Sequence, residues 1–367
     1  MNKLTLDTKI KNFVVFLKEN SLWYNENYNI KYDTYFKTGG VVKVYCTPSN
    51  KIDLISILSY LRENNLEYKI IGFTSNILLF EHVSYSVIIS TKNLSSLKKV
   101  GNVVDVDCGY SLQDFTRVMS ILYNSSGYEG LEGIPGSIGG GVFMNAAAYG
   151  TSISDLISTI TFINSNGHVE TKNKLDCHFS YRNSFFKNNP ENIIISAKFK
   201  IIEGDYKIIQ EKIESYHISR HSYQEFVYPN LGSLISINKD IYSSLLRDNV
   251  YYKYYYFLLK TLYKNPVIKL LKRKKPDNIV FNNLIQKHLG SFPLEPSKKS
   301  INILLNRGGY QIEEIYEYVI NLHDKLDGSI SIENEFVFDS IYKIDKEFEE
   351  LHYKMQNKLN KIKYKTL

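Results

Sequence analysis

GLEGIPGSIGGGVFMNAAAYG, residues 130–150, gathers seven glycines and a proline with almost no charge into the middle of a chain otherwise rich in Lys, Asn and Tyr. A backbone without Cβ atoms can take up positive φ and approach a ligand closely, and its N–H groups can form a concavity for an anion. A phosphate or a flat ring system is the natural guest. The spacing is neither GxGxxG behind a strand nor GxxxxGK[ST], so the common dinucleotide and nucleoside-triphosphate fingerprints do not describe it. A tight glycine corner between packed strands is the competing explanation. A second stretch, GFTSNILLF (72–80), leaves an apolar run at Gly72 and offers Thr74, Ser75 and Asn76 before turning apolar again. Two such turns can grip one pyrophosphate; taken alone, the second is equally an ordinary polar turn.

Around these loops α and β patterns alternate. Residues 1–24 read as an amphipathic helix, and VVKVYCTP (41–48) as a strand that stops at Pro48. Ser49 or Asn50 caps a helix in which Ile52, Leu54, Ile55, Leu58 and Leu61 recur at helical spacing, and YKIIGF restarts strand character. That is a β-α-β unit. SVIIS (86–90) and NVVDVDC (102–108) are further short strands, and Ser111 with Asp114 resembles a capping box opening a helix through Leu112, Phe115, Met119 and Leu122. Beyond the glycine loop, TITFINSNGHVET and ENIIISAKFKII alternate as strands, with a turn signal at Asn166-Gly167. Ile312, Ile315, Tyr316, Val319 and Ile320 fall on one helical face, and SIENEFVFD after them is strand-like.

The 367 residues suit two or three folding units, and 43% hydrophobic content allows a sizeable core. The net charge of +7 favours anionic ligands only weakly. Cys46, Cys108 and Cys177 are far apart and lack metal-binding or disulfide spacing. With neither a signal-peptide pattern nor an uncharged run long enough to span a bilayer, the expectation is a cytoplasmic protein without an integral membrane segment.

YDTYFKTGG (32–40), GFTSNILLF, the glycine loop, SYRNSFFK (180–187), YPNLGS (228–233) and ENEF (333–336) occur in the order and approximate spacing of the UDP-N-acetylenolpyruvoylglucosamine reductase family, which the chain resembles. The resemblance covers residues 30–235 well and 300–340 loosely, and implies an α+β FAD-binding fold of the vanillyl-alcohol-oxidase/PCMH-like type. Two α+β subdomains would then hold the cofactor, at 1–95 and 96–212, with a substrate-binding domain over 213–367 that carries a Tyr/Lys-rich insertion at about 240–299. Noncovalent FAD would lie along Gly72, Thr74, Ser75, Asn76, Ile77 and Leu78 on one side. Ile134, Pro135, Gly136, Ser137, Gly139 and Gly140 would follow it on the other, with Asn145, Ala146 and Tyr149 nearing the flavin. Such enzymes take hydride from NADPH and deliver it to the enolpyruvyl β-carbon of a nucleotide sugar. By the same resemblance Arg182 would stabilise the enolate, Ser233 would protonate carbon and Glu335 would be the late carboxyl, Glu333 being the lesser candidate. Tyr181 and Lys239 are candidate substrate contacts.

The chain departs from the family after Ser233, where LISINKD puts Ser236 and Ile237 at the usual lysine and asparagine positions, and where SINILLN (300–306) lacks the family's His-Ala pair. Phe73 and Thr74 also stand where glycines are usual. These departures admit two rivals: a paralogue acting on another sugar nucleotide for a surface polysaccharide, and a flavin-binding interaction protein without turnover. YYKYYYFLLKTLYK and the run Lys272–Lys275 read as a solvated helical insertion, a lid, or a weak anionic or membrane-surface contact through 251–275. No nucleic-acid recognition motif accompanies them. His217 and His221, four apart, can share a helix face near the site.

Overall fold

The computed structural model describes residues 3–237, 239–267, 278–290, 294–326 and 331–365. The first helix runs Lys3–Glu19 and stops there because Ser21 turns left-handed at φ 54°. It is followed by a strand, Tyr24–Asn29, that the helical expectation for 1–24 overlooked. That strand is polar and pairs through its backbone with Val41–Cys46, so no hydrophobic alternation announced it. Val41–Cys46 and Lys69–Ile71 both pair parallel with Val83–Ser90, and the helix Lys51–Glu63, capped by the Asn50 side chain, makes the crossover between them. Its buried face is Leu54, Ile57, Leu58 and Leu61; Ile52 points to solvent at 78% exposure.

The second sheet is antiparallel throughout, in the order Val169–Asn173, Ile157–Ile163, Ile193–Lys200, Val103–Asp107, Leu97–Val100. Its hairpin turns at Asn166-Gly167, where the Asn164 side chain accepts from the N–H groups of Asn166 and His168. Ser111 caps the helix Leu112–Arg117, which widens into a π turn over Val118–Leu122, leaving Leu122 exposed. One mixed and one antiparallel sheet, each with its own helices, make the class α+β.

The C-terminal part is mainly helical, with Ile241–Leu245, Val250–Lys264, Ile279–Leu289 and Ile312–Lys325. Ile312, Ile315, Tyr316, Val319 and Ile320 are all buried in one core, as their spacing requires. The expected strand over SIENEFVFD is broken into Ser331–Ile332 and Glu335–Phe336, because the intervening backbone bonds to two different loops. The chain then returns to the first sheet, where Ile341–Ile344 pairs antiparallel with Val83–Tyr85. We propose the division at 95 and 212, with this last strand belonging spatially to the first unit. The run Lys272–Lys275 lies outside the described residues.

The returning segment is clasped by a buried polar group. His82 Nε2 lies 3.1 Å from His352 Nδ1, and His82 Nδ1 contacts the Glu313 carboxylate. Burial, then the neighbouring His82, holds His352 down to about 4. Burial also pushes the adjacent Glu81 carboxyl up to about 7, with Glu313 adding to the rise. The folded state therefore binds more proton at Glu81 between pH 4.5 and about 7, and this group erodes stability as pH rises through that window. Glu81→Gln is expected to stabilise by about 1–2 kcal/mol at pH 8, the full shift being discounted for residual solvent. The gain should shrink as pH falls toward 4.5, which thermal denaturation at the two pH values checks.

Candidate active site

A cleft of about 880 Å³ is lined by residues of both sheets and of the C-terminal part. It lies at the large end of the range for ligand pockets. Its two glycine-bearing loops are fastened to one another. Ser75 Oγ donates to Pro135 O at 2.9 Å, and Thr74, at φ 56°, accepts from Tyr35 N–H at 2.7 Å. Ser137 caps the short helix Ile138–Phe143 by accepting from Gly140 N–H at 3.2 Å. Ile138 and Gly139 donate to Tyr110 O and Cys108 O, which moors the loop to the end of strand Val103–Asp107.

Gly72 is required where these loops meet, since a Cβ there would lie 2.3 Å from Ser137 Oγ. Gly136 has φ 137°, a conformation side chains rarely adopt. The loops thus offer bare backbone and small hydroxyls at the cleft wall, a donor set suited to a dinucleotide's phosphates. The residues present fit FAD. Gly72, Thr74, Ser75, Asn76, Ile77, Ile134, Pro135, Gly136, Ser137, Gly139, Gly140 and Ala146 all line the cleft. Three expected contacts are not on its wall. Leu78 is buried in the core, and Asn145 is buried with its amide donating to Ser180 O and accepting from Ser154 N–H. Tyr149 stacks on Tyr216 with 4.3 Å between centroids and donates to Tyr216 O.

Arg182, Ser233, Glu333 and Glu335 line the same cleft. Arg182 sits at φ 51° in a tight turn closed by reciprocal bonds between Ser180 and Asn183, which turns its guanidinium toward Ala147 O and Glu333. Its Nη2 is 3.7 Å from Glu333 Oε2. Tyr181 lies outside the wall, 68% exposed, yet its hydroxyl pairs with Ser236 Oγ at 2.7 Å and donates to Glu333 Oε1 at 3.3 Å. Ser233 follows Gly232, whose N–H is held by the Asn230 side chain. The next residues are held by Asn302, which exchanges two side-chain bonds with the backbone of Ile235. Glu333 N–H donates to Leu234 O and Glu335 N–H to Asn76 O, while Asn76 Nδ2 donates to Glu333 O. One short segment therefore bridges the serine loop and the first cofactor loop. Lys239 is exposed and away from the cleft wall.

The sequence reading put His217 and His221 near the site and missed the two arginines beside them. Arg117, His217, Arg220 and His221 line the cleft beside Gly133. Glu132, fully buried, accepts from Arg117 Nε at 3.0 Å and contacts the His217 ring. Arg220, 4% exposed, donates to Gly130 O and lies over the Tyr149 ring. The pairing of His217 with His221 on helix Tyr206–Tyr223 was the available signal; its arginine went unread because a helix rich in charge usually faces water. Cys108, also on the wall, is pushed up by burial to about 12 and is a poor nucleophile.

Residues 42–172 match a family described as an FAD binding domain. UDP-N-acetylenolpyruvoylglucosamine reductase of Streptococcus mutans is 33% identical over 208 residues, 57% of this chain and 67% of that protein. The corresponding enzyme of Caldanaerobacter subterraneus is 29% identical over 239 residues, 65% of this chain and 78% of that one. A solved structure of UDP-N-acetylenolpyruvylglucosamine reductase from Thermus caldophilus shares the fold, with TM-score 0.61 and 19% identity over 86% of this chain and 99% of that one. Fold, glycine cradle and domain match together define an FAD-dependent oxidoreductase. Within that class the sequence relatives are specific: the chain belongs to the UDP-N-acetylenolpyruvoylglucosamine reductase family.

Proposed function

We propose that this protein binds FAD noncovalently in the cytoplasm and uses NADPH to reduce UDP-N-acetylglucosamine enolpyruvate to UDP-N-acetylmuramate, a step of peptidoglycan precursor synthesis. The observation that carries the reading is the meeting of Arg182, Ser233, Glu333 and Glu335 in the cleft that also holds both glycine loops. When bound, FAD supplies hydride transfer between the nicotinamide and the sugar nucleotide. The chain's own residues then have three tasks. Arg182, a planar donor, orients the enolpyruvyl carboxylate and stabilises the charge that develops on it. Ser233 Oγ gives its proton to carbon, and Glu335 presents a carboxyl to the developing enolate. Glu333, paired with Arg182 Nη2, holds the guanidinium in position. The high-lying Cys108 thiol supports noncovalent attachment, which release of flavin on acid precipitation tests.

A second reading, reduction of a different sugar nucleotide, is favoured by one observation: Ser236, at the family's usual lysine position, is tied to Tyr181, and Lys239 stays off the cleft wall. In that reading the guanidinium groups of Arg117 and Arg220 on the cleft wall offer positive charge to a diphosphate. Anaerobic mixing of the NADPH-reduced protein with UDP-N-acetylglucosamine enolpyruvate separates the readings. Fast return of oxidised-flavin absorbance supports the first. A flavin that NADPH reduces but only another nucleotide sugar reoxidises supports the second.

A further inference from the structure

The helix Val250–Lys264 turns an apolar face to solvent. Its inner side is secured: Tyr256 donates to both Asp240 carboxylate oxygens, Lys260 pairs with Asp240, and Tyr256 meets Phe281 edge-on at 5.1 Å. Outward stand Val250 at 81% exposure, Tyr251 at 72%, Tyr254 at 63% and Phe257 at 62%, joined by Tyr255, Leu258 and Leu262. At 3.6 residues per turn these form one continuous arc, interrupted by Thr261 and bordered by Lys253. A surface helix ordinarily shows the reverse, polar outward. Exposed apolar side chains are common singly, but a contiguous set marks a contact.

We propose that this face lies on an anionic lipid surface, with the helix axis in the plane of the headgroups. Charge selects this occupant. From Val250 to Lys264 there is no Asp or Glu. Of the nearby carboxylates, Asp240 is engaged by Lys260 and Tyr256, and Asp248 by Arg247 at 3.3 Å. A second copy docked on the same face would meet Lys253 with no carboxylate on either helix to pair with it, whereas an acidic leaflet attracts it. Tyr254 and Leu258 stand at the middle of the arc, where they reach deepest toward the acyl boundary, and Phe257 and Tyr255 at its edges lie nearer the headgroup level, where aromatic rings are favoured. No helix among the described residues is long and apolar enough to cross a membrane, so the contact is peripheral.

The test is co-sedimentation of the FAD-loaded full chain with phosphatidylcholine vesicles, with and without phosphatidylglycerol. Binding to the anionic vesicles should exceed binding to neutral ones by about tenfold and weaken with salt. Tyr254→Ser with Phe257→Ser and Leu258→Ser should abolish it while flavin stays bound. Should that variant misfold, Lys253→Glu, which leaves the apolar arc intact, should still cut the preference for anionic lipid. Absence of binding to phosphatidylglycerol vesicles, or equal binding by the variants, overturns the proposal. So does a concentration-dependent dimer that the triple substitution dissolves without any lipid binding.

Discussion

Ser233→Ala is expected to retain FAD and to be reduced by NADPH at the native rate, yet to pass hydride on to substrate about 10²–10⁴-fold more slowly, the usual range for a lost proton donor. The hydroxyl makes no contact that the fold needs: its loop is held by Asn230, Asn302 and the backbone of Asn306. Stopped-flow absorbance measures the two half-reactions separately. An unchanged second half would remove Ser233 from the chemistry and direct attention to the carboxylates beside it. Arg182→Lys belongs to the same experiment. It keeps the charge but loses the planar fork, so substrate reduction should fall while flavin content holds.

Gly72→Val should have an effect of comparable size on cofactor content, with most of the FAD lost from the purified protein. The added Cβ alone would stand 2.3 Å from Ser137 Oγ, and the valine methyls would press further into the cleft. Ser137 cannot simply swing away, because its oxygen caps the helix Ile138–Phe143. Displacing it breaks the junction of the two loops as well as filling the space the cofactor needs. Flavin absorbance per protein checks this, with circular dichroism to show that the sheets persist. Full flavin content in the variant would mean that the cofactor does not run past Gly72.

Much of the cleft was legible in the chain itself. Positive φ in the glycine loop, seen at Gly136, and the cap at Asn50 depend on a few neighbouring residues, so they were readable locally, whereas the Ser137 cap and the turn that holds Arg182 were not read. Periodicity likewise foretold the buried stripe from Ile312 to Ile320. It failed where backbone pairing, not side-chain pattern, makes the element, as in the polar strand Tyr24–Asn29. The family resemblance also assigned Tyr149 and Asn145 to the cofactor, although packing uses one as a stacking partner and the other to hold Ser180.

By itself, then, the sequence determined a glycine loop suited to a phosphate or a flat ring, because glycine's conformational freedom is written in one short stretch; FAD, Ser233 and Arg182 were legible only through the likeness of their motifs to a family. The tertiary structure decided the rest. Glu333 rather than Glu335 pairs with Arg182 because residues 333–335 are stretched between Leu234 and Asn76, far apart in the chain. Arg117 and His217 stand together because both contact Glu132, whose carboxylate is buried from water and needs partners. The last strand joins the first sheet because that edge of Val83–Ser90 leaves backbone groups to be satisfied. Such choices depend on which distant segments share a dry interior, and no local pattern encodes that.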